Sequence, residues 1–206
     1  MFTPFWAMAT ASAVEGGPLP PSHVVCGYST MPPTTDEELM QRYANDGDRA
    51  AFEELFRRYV GPLKAMFSRT GGSEVDALDL VQQTFLQLHN ARRDYKTGLP
   101  VRPWLYAIAL NVGRGAARRS RRRREDGVDD DRLDAVGVAP STSTPTDRAV
   151  HRALERLPHD QREVIVLHWF DGLEFSEISR VVDASLSAVK VRAHRGYNRL
   201  RELLTG

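Results

Sequence analysis

Apolar residues recur at three- and four-residue steps along most of the chain from Thr35 onward, the period of helices with one buried face. Thr35 and Glu38 have the spacing of a capping box, so a helix starts there and carries Leu39 and Tyr43 to an Asn45-Asp46-Gly47 turn. Phe52, Leu55, Phe56, Tyr59, Leu63, Met66 and Phe67 predict a long second helix, kinked at Pro62. Gly71-Gly72 ends it, and Ser73 caps a third helix whose shared face is Ala77, Leu78, Val81, Phe85 and Leu88. After a loop from Arg92 to Pro103, Trp104, Leu105, Ile108, Ala109 and Val112 predict a fourth helix, whose apolar face fades where arginines begin.

The pattern resumes with Val150, Leu154 and Leu157 before Pro158, which suits the first turn of a following helix through Val164, Ile165, Leu167, His168 and Phe170. Beyond the Asp171-Gly172 turn, two more helices are predicted: Phe175 to Val182, with Ile178 and Val181 inward, and Ser185 onward, with Val189 inward and Leu200 and Leu203 closing the tail. No alternating run of β-branched residues is long enough for a hairpin, so the fold class is all-α, in two small helical modules. The modules span residues 35–124 and 146–206. Residues 125–145, with six acids, one arginine and a Pro-Ser-Thr-Ser-Thr-Pro tail, carry too little apolar surface to offset ordering and are expected to be a flexible acidic linker. Residues 1–34, rich in proline and glycine, are expected to be a disordered leader.

Charge changes the picture only when it is located. The 28 basic and 27 acidic residues nearly cancel, but Arg118, Arg119 and Arg121 to Arg124 form a basic block directly followed by Glu125, Asp126 and Asp129 to Asp131. Such segregation suggests a nucleic-acid surface next to a solvated linker. Cys26 is the only thiol, which excludes an internal disulfide or a four-thiolate zinc site and favours a reducing, cytoplasmic location. No apolar run approaches the roughly 18 residues of a membrane span, and Met1 to Val14 lacks the basic start of a signal peptide.

Catalytic chemistry finds no foothold. The six histidines have no zinc-site spacing, Gly71-Gly72 is not followed by the residues of a phosphate loop, and no serine sits in a nucleophile elbow. Asp76 and Asp79 share a helix face without a third ligand. No catalytic residue, metal or cofactor is expected, and the chain is not expected to be an enzyme.

Nucleic-acid binding is better supported. The Val182-Asp183-Ala184-Ser185 turn between two short helices has the layout of a helix-turn-helix. Ser185 caps the second helix and aims Leu186, Ser187 and Ala188 at a major groove, with Lys190 one turn on; Arg192, His194, Arg195 and Arg199 follow with no intervening acid. The competing reading is a helical hairpin whose arginines merely solvate it. Tyr95, Trp104 and Tyr106 lie upstream of the arginine run, and aromatics beside a cationic groove suit unstacked bases, although Trp104 and Tyr106 equally suit core packing.

Three motifs in order carry a family resemblance. Asp79-Leu80-Val81-Gln82-Gln83-Thr84-Phe85 resembles the polymerase-binding helix of region two in bacterial RNA polymerase sigma factors of the sigma-70 family, extracytoplasmic-function (ECF) group. Pro103-Trp104-Leu105-Tyr106-Ala107-Ile108-Ala109-Leu110-Asn111 resembles its promoter-melting helix. Leu157-Pro158 through Gln161-Arg162-Glu163-Val164, then Glu177-Ile178 and Ser187-Ala188-Val189-Lys190-Val191-Arg192, resembles region four, so the likeness runs from Asp36 to Leu204. Three positions depart from the pattern: Gln83 replaces an acid, Glu174 replaces a capping hydroxyl, and Asp183 replaces a turn glycine. Aspartate tolerates the left-handed conformation, so the turn is expected to survive.

The resemblance implies a factor that binds core RNA polymerase and directs promoter-specific initiation. It implies that Asp79, Leu80, Gln82, Gln83 and Phe85 meet the β′ clamp helices, with region four engaging the β flap. It implies that Tyr95, Lys96, Trp104, Asn111, Arg114 and Arg118 serve the minus-10 element, and Ser187, Lys190, Arg192 and Arg195 the minus-35 element. An anti-sigma factor is implied as a further partner. The alternative is a stand-alone helix-turn-helix regulator whose first module dimerises or senses.

Overall fold

The computed structural model describes residues 34–70, 74–125 and 144–205, so the expectations for the leader, for Gly71 to Ser73 and for most of the linker lie outside the described residues. Eight α-helices and no strand occur among the described residues.

Helix α1 (Asp36–Asp46) has the expected box: Glu38 N–H donates to Thr35 Oγ1 at 3.2 Å and Thr35 N–H donates to Glu38 Oε2 at 2.9 Å. Gly47 ends it in the left-handed region, φ 68°, where a residue without Cβ is unstrained. Asp48 then starts α2 (Arg49–Thr70), its Oδ1 accepting from Ala50 and Ala51 N–H at 2.9 and 3.2 Å, while Arg42 of α1 holds its Oδ2. Helix α2 runs through Pro62 without interruption.

Helix α3 (Glu74–Ala91) packs on α2 and leads through a 3₁₀ turn (Arg92–Asp94) to α4 (Val101–Glu125). The loop is shorter than expected because α4 starts at Val101 and includes Pro103 in its first turn, where a missing N–H costs nothing. Helix α4 also continues through the arginine block to Glu125, so those arginines are helical. Thr84, fully buried, satisfies its hydroxyl on Leu80 carbonyl at 2.7 Å and thereby fits an apolar interior.

In the second module, α5 (Pro145–Glu155) opens with a Thr144–Asp147 capping box and proline at its first position. Helix α6 (His159–Ile165) continues into a π-helical turn, Val166–Phe170, before Gly172 turns the chain with φ 64°. Helices α7 (Phe175–Val181) and α8 (Leu186–Thr205) complete the fold.

The two sequence modules share one compact unit, Thr34–Gly206. Their buried residues form a single apolar cluster, with Leu63, Met66, Leu105 and Ala109 from the first and Leu154, Ile165, Leu167 and Ile178 from the second. Helix α4 packs on α7, and α2 packs on α5, α6 and the π turn. Each fully buried leucine is worth about 1.5–3 kcal/mol, so the apolar cluster is a principal source of cohesion.

Candidate nucleic-acid interface

The helix-turn-helix forms as its spacing predicts. Asp183 takes φ 52°, the left-handed conformation a short polar side chain tolerates. Ser185 then caps α8: Ala188 N–H donates to its Oγ at 3.2 Å. At the start of α7, Glu174 lacks the usual hydroxyl, yet Glu177 Oε2 accepts from Glu174 N–H at 2.9 Å and satisfies that donor. Val189 and Ala193 are buried against the module, which turns Leu186, Ser187, Lys190 and Arg195 outward. Arg192 is only partly available, because Asp160 of α6 lies 3.4 Å from its Nε.

On the first module, α4 presents Asn111 and Arg118 to solvent, and Arg119, Arg121 and Arg122 extend that exposed basic surface. Lys96 is exposed on the preceding loop, where Leu99 N–H donates to Lys96 carbonyl at 3.1 Å and Gly98, φ 87°, takes the position of a type II turn that needs positive φ. Trp104 is half-buried and its ring lies 5.3 Å from that of Tyr95. Tyr95 itself is buried, its hydroxyl donating to Leu99 carbonyl at 2.5 Å, so it shapes the loop from beneath rather than offering a free face.

Arg114 departs most from expectation. Its Nε and Nη2 donate to Glu163 Oε1 and Oε2 at 2.9 and 2.6 Å, a bidentate pair across the two modules. The Glu163 side chain is 3% exposed, and His159 Nδ1 sits 3.3 Å from it. The hydrogen bonds to Glu163 hold the Arg114 guanidinium above its ordinary pKa, so it is a permanent cation.

Nearby, Tyr106 Oη donates to Asp171 Oδ1 at 2.9 Å, both residues buried. Burial pushes the Asp171 carboxyl up to about 6, against the opposing Tyr106 hydrogen bond and the Arg69 and Arg102 charges. Asp171 Oδ2 has no hydrogen-bond partner among the described residues. Two further ties cross the same seam. Arg162 Nη1 donates to Thr70 carbonyl at 3.3 Å, and Arg69 lies 4.3 Å over the Phe170 ring. Sequence reasoning missed Glu163 and Asp171 as partners of α4; the only signal was an acid at each border of one apolar run, Glu163 before Val164 and Asp171 after Phe170.

A separate surface lies on α3. Asp79, Gln82 and Gln83 are exposed together with Leu78 and Leu86, which are 44% and 60% exposed. Leu80 and Phe85 are buried and belong to the core, so their contribution to that surface is to hold the helix. The sequence pattern placed Leu78 on the buried face and did not single out Leu86, yet their i, i+4 and i+8 steps with Gln82 put both on the exposed one.

The chain matches two family descriptions, Sigma-70 region 2 over residues 55–124 and Sigma-70, region 4 over residues 147–200. It is 37% identical over 166 residues to the RNA polymerase sigma factor CarQ of Myxococcus xanthus, covering 80% of this chain and 95% of that protein. It is 30% identical over 190 residues to the ECF RNA polymerase sigma factor SigM of Mycobacterium tuberculosis, covering 90% of this chain and 94% of that one. Among solved structures, CnrH in complex with the cytosolic domain of CnrY matches with a TM-score of 0.62 and 28% identity, over 82% of this chain and 96% of that one. The sigma factor RpoE in complex with the anti-sigma factor NepR from Bartonella quintana matches with a TM-score of 0.61 and 26% identity, over 74% and 96%.

Proposed function

The chain belongs to the sigma-70 family, as an ECF RNA polymerase sigma factor, and from that membership we propose a division of its residues between polymerase and promoter. A sigma factor binds core RNA polymerase and directs initiation at particular promoters. The observation that carries the residue-level reading is the pair of separate exposed surfaces, the α3 face and the α7–α8 helix-turn-helix, each on a helix whose opposite side is locked in the core.

The first module is taken as residues 35–124 and the second as 146–206, joined by 125–145. Asp79, Gln82 and Gln83 engage the polymerase clamp, supported by their exposure and by the flanking Leu78 and Leu86. Lys96, Trp104, Asn111 and Arg118, with Arg114 once freed, hold an unstacked base and its phosphates at the minus-10 element. Unstacking costs a few kcal/mol, which stacking and charged contacts offset. Ser187, Lys190 and Arg195 meet the minus-35 duplex, with the N-terminus of α8 in the major groove and the flanking cations on phosphates. An anti-sigma factor is the further partner, supported by the RpoE–NepR structure this chain resembles. No helix among the described residues is long and apolar enough to cross a membrane.

The experiment is equilibrium binding of the labelled chain to core RNA polymerase. Tight, saturable binding is expected, and replacing Asp79 and Gln82 together with arginine abolishes it while the helical circular dichroism is unchanged. Persistent binding by that variant overturns the contact assignment. Failure of the folded wild-type chain to bind favours the stand-alone regulator.

A further inference from the structure

Resting on the minus-10 reading of Arg114, we propose that Glu163 is an internal competitor for nucleic acid at that arginine, and that the free chain is held closed by a two-point clasp, Arg114–Glu163 and Tyr106–Asp171. A guanidinium offers a planar fork that fits a carboxylate or a phosphate in the same bidentate way. In this chain both prongs are taken by Glu163 at 2.9 and 2.6 Å. A phosphate therefore reaches this two-donor edge of Arg114 only by displacing a carboxylate that is itself 3% exposed and fixed to α6. The contact differs from an ordinary surface pair such as Arg192 and Asp160, which meet through one nitrogen at 3.4 Å with Asp160 half-exposed.

Size points the same way. The two promoter elements, centred about 25 base pairs apart, are separated by ~85 Å of duplex at 34–36 Å per turn. A compact chain of about 170 residues has a radius of gyration near ~16 Å. With α6 packed on α8 and joined to α4 by Arg114–Glu163, the closed chain cannot present Lys190 and Asn111 to both elements at once. The closed form nevertheless leaves the α3 face exposed. Polymerase can therefore engage the chain first, and DNA contact follows opening.

The test uses the full chain with Cys26→Ser and spin labels on cysteines replacing the exposed residues Glu53 of α2 and Arg201 of α8, with the distance distribution read by pulsed dipolar spectroscopy. A single short population is expected without DNA. Glu163→Gln, a near-isosteric change, and Tyr106→Phe, which removes the donor from buried Asp171, are each expected to shift it towards long distances. Because affinity is reduced by the fraction of chain in the competent form, Glu163→Gln is expected to bind a single-stranded minus-10 oligonucleotide about tenfold more tightly by anisotropy. A wild-type chain that is already broadly distributed overturns the clasp, as does an unchanged distribution in both variants. Opening by Glu163→Gln with no gain in oligonucleotide affinity overturns the competition, and assigns the failure to the minus-10 reading of Arg114 rather than to the clasp.

Discussion

Each helical side chain proposed to face the promoter is set by what its own helix buries. Lys190 follows Val189, which is fully buried, and so projects into solvent one turn beyond the Ser185 cap, with no acidic partner among the described residues of the kind Arg192 has in Asp160. Lys190→Ala is expected to weaken binding to a minus-35 duplex by about 1–3 kcal/mol, with the loss largest on the preferred sequence. Titrations on several duplexes check this: an equal loss on all of them, with a salt slope reduced by about one, makes Lys190 a phosphate contact instead. The capping serine, the left-handed aspartate and the outward lysine were all legible in the sequence, because each depends on neighbours within four residues. Tyr95 was not. Its burial follows from a hydrogen bond to Leu99 and packing on Trp104, which depend on how the loop folds back.

The same division between near and far neighbours governs the helices. Their number and order follow from apolar periodicity, as do most inward faces, Phe56, Leu78 and Phe170 excepted because the fold leaves them exposed, and the ends set by local caps, at Thr35 and Gly47, fall where the residue types place them. The start of α4 was placed too late because Pro103 suggests a loop, whereas Val101 N–H donates to Glu37 Oε1 at 3.1 Å, a contact from 64 positions away. Exposed apolar residues are likewise invisible to periodicity alone: Leu86 reads as one more hydrophobe until the fold leaves it 60% exposed. Leu86→Arg is therefore expected to leave urea stability within about 0.5 kcal/mol of wild type, while weakening core-polymerase binding severely; a fully active variant removes α3 from the contact. The α6–α8 contact behaves oppositely. A Cβ at Gly196 meets Ile165 Cδ1 at 2.5 Å and Gln161 Cβ at 3.4 Å, so Gly196→Ala gains helix propensity but overpacks the seam. A net loss of about 1 kcal/mol or more in urea unfolding is expected, and a stabilised variant shows that Ile165 has room to rotate away.

At the scale of the whole molecule, docking of the two modules was not legible, since a helical module and a linker are compatible with either an open or a closed chain. What the docking does is place an acid against foreign surroundings. Asp171 faces Tyr106 and Arg102 of α4 and Arg69 of α2, and desolvation raises its carboxyl to about 6 despite all three. Opening admits water and returns the group towards its ordinary value near ~3.9. Between about pH 4 and pH 6 the closed form therefore holds a proton that the open form has released. The protonated carboxyl favours closure fully below the lower value, and that preference is lost as pH rises through the upper one. A shift of about two units corresponds to roughly 2–3 kcal/mol. Lowering the pH from 7.5 to 5 is thus expected to enlarge the short-distance population of the spin-labelled Glu163→Gln chain, which is expected to be partly open at the higher value. The comparison is made with His159→Gln throughout, so that the imidazole 3.3 Å from Glu163 contributes nothing. Asp171→Asn, neutral at both values and still able to accept from Tyr106, is expected to stay closed and to lose the pH response. A response of equal size in that variant assigns the proton to another group, and a shift towards long distances at pH 5 contradicts a buried, proton-retaining Asp171.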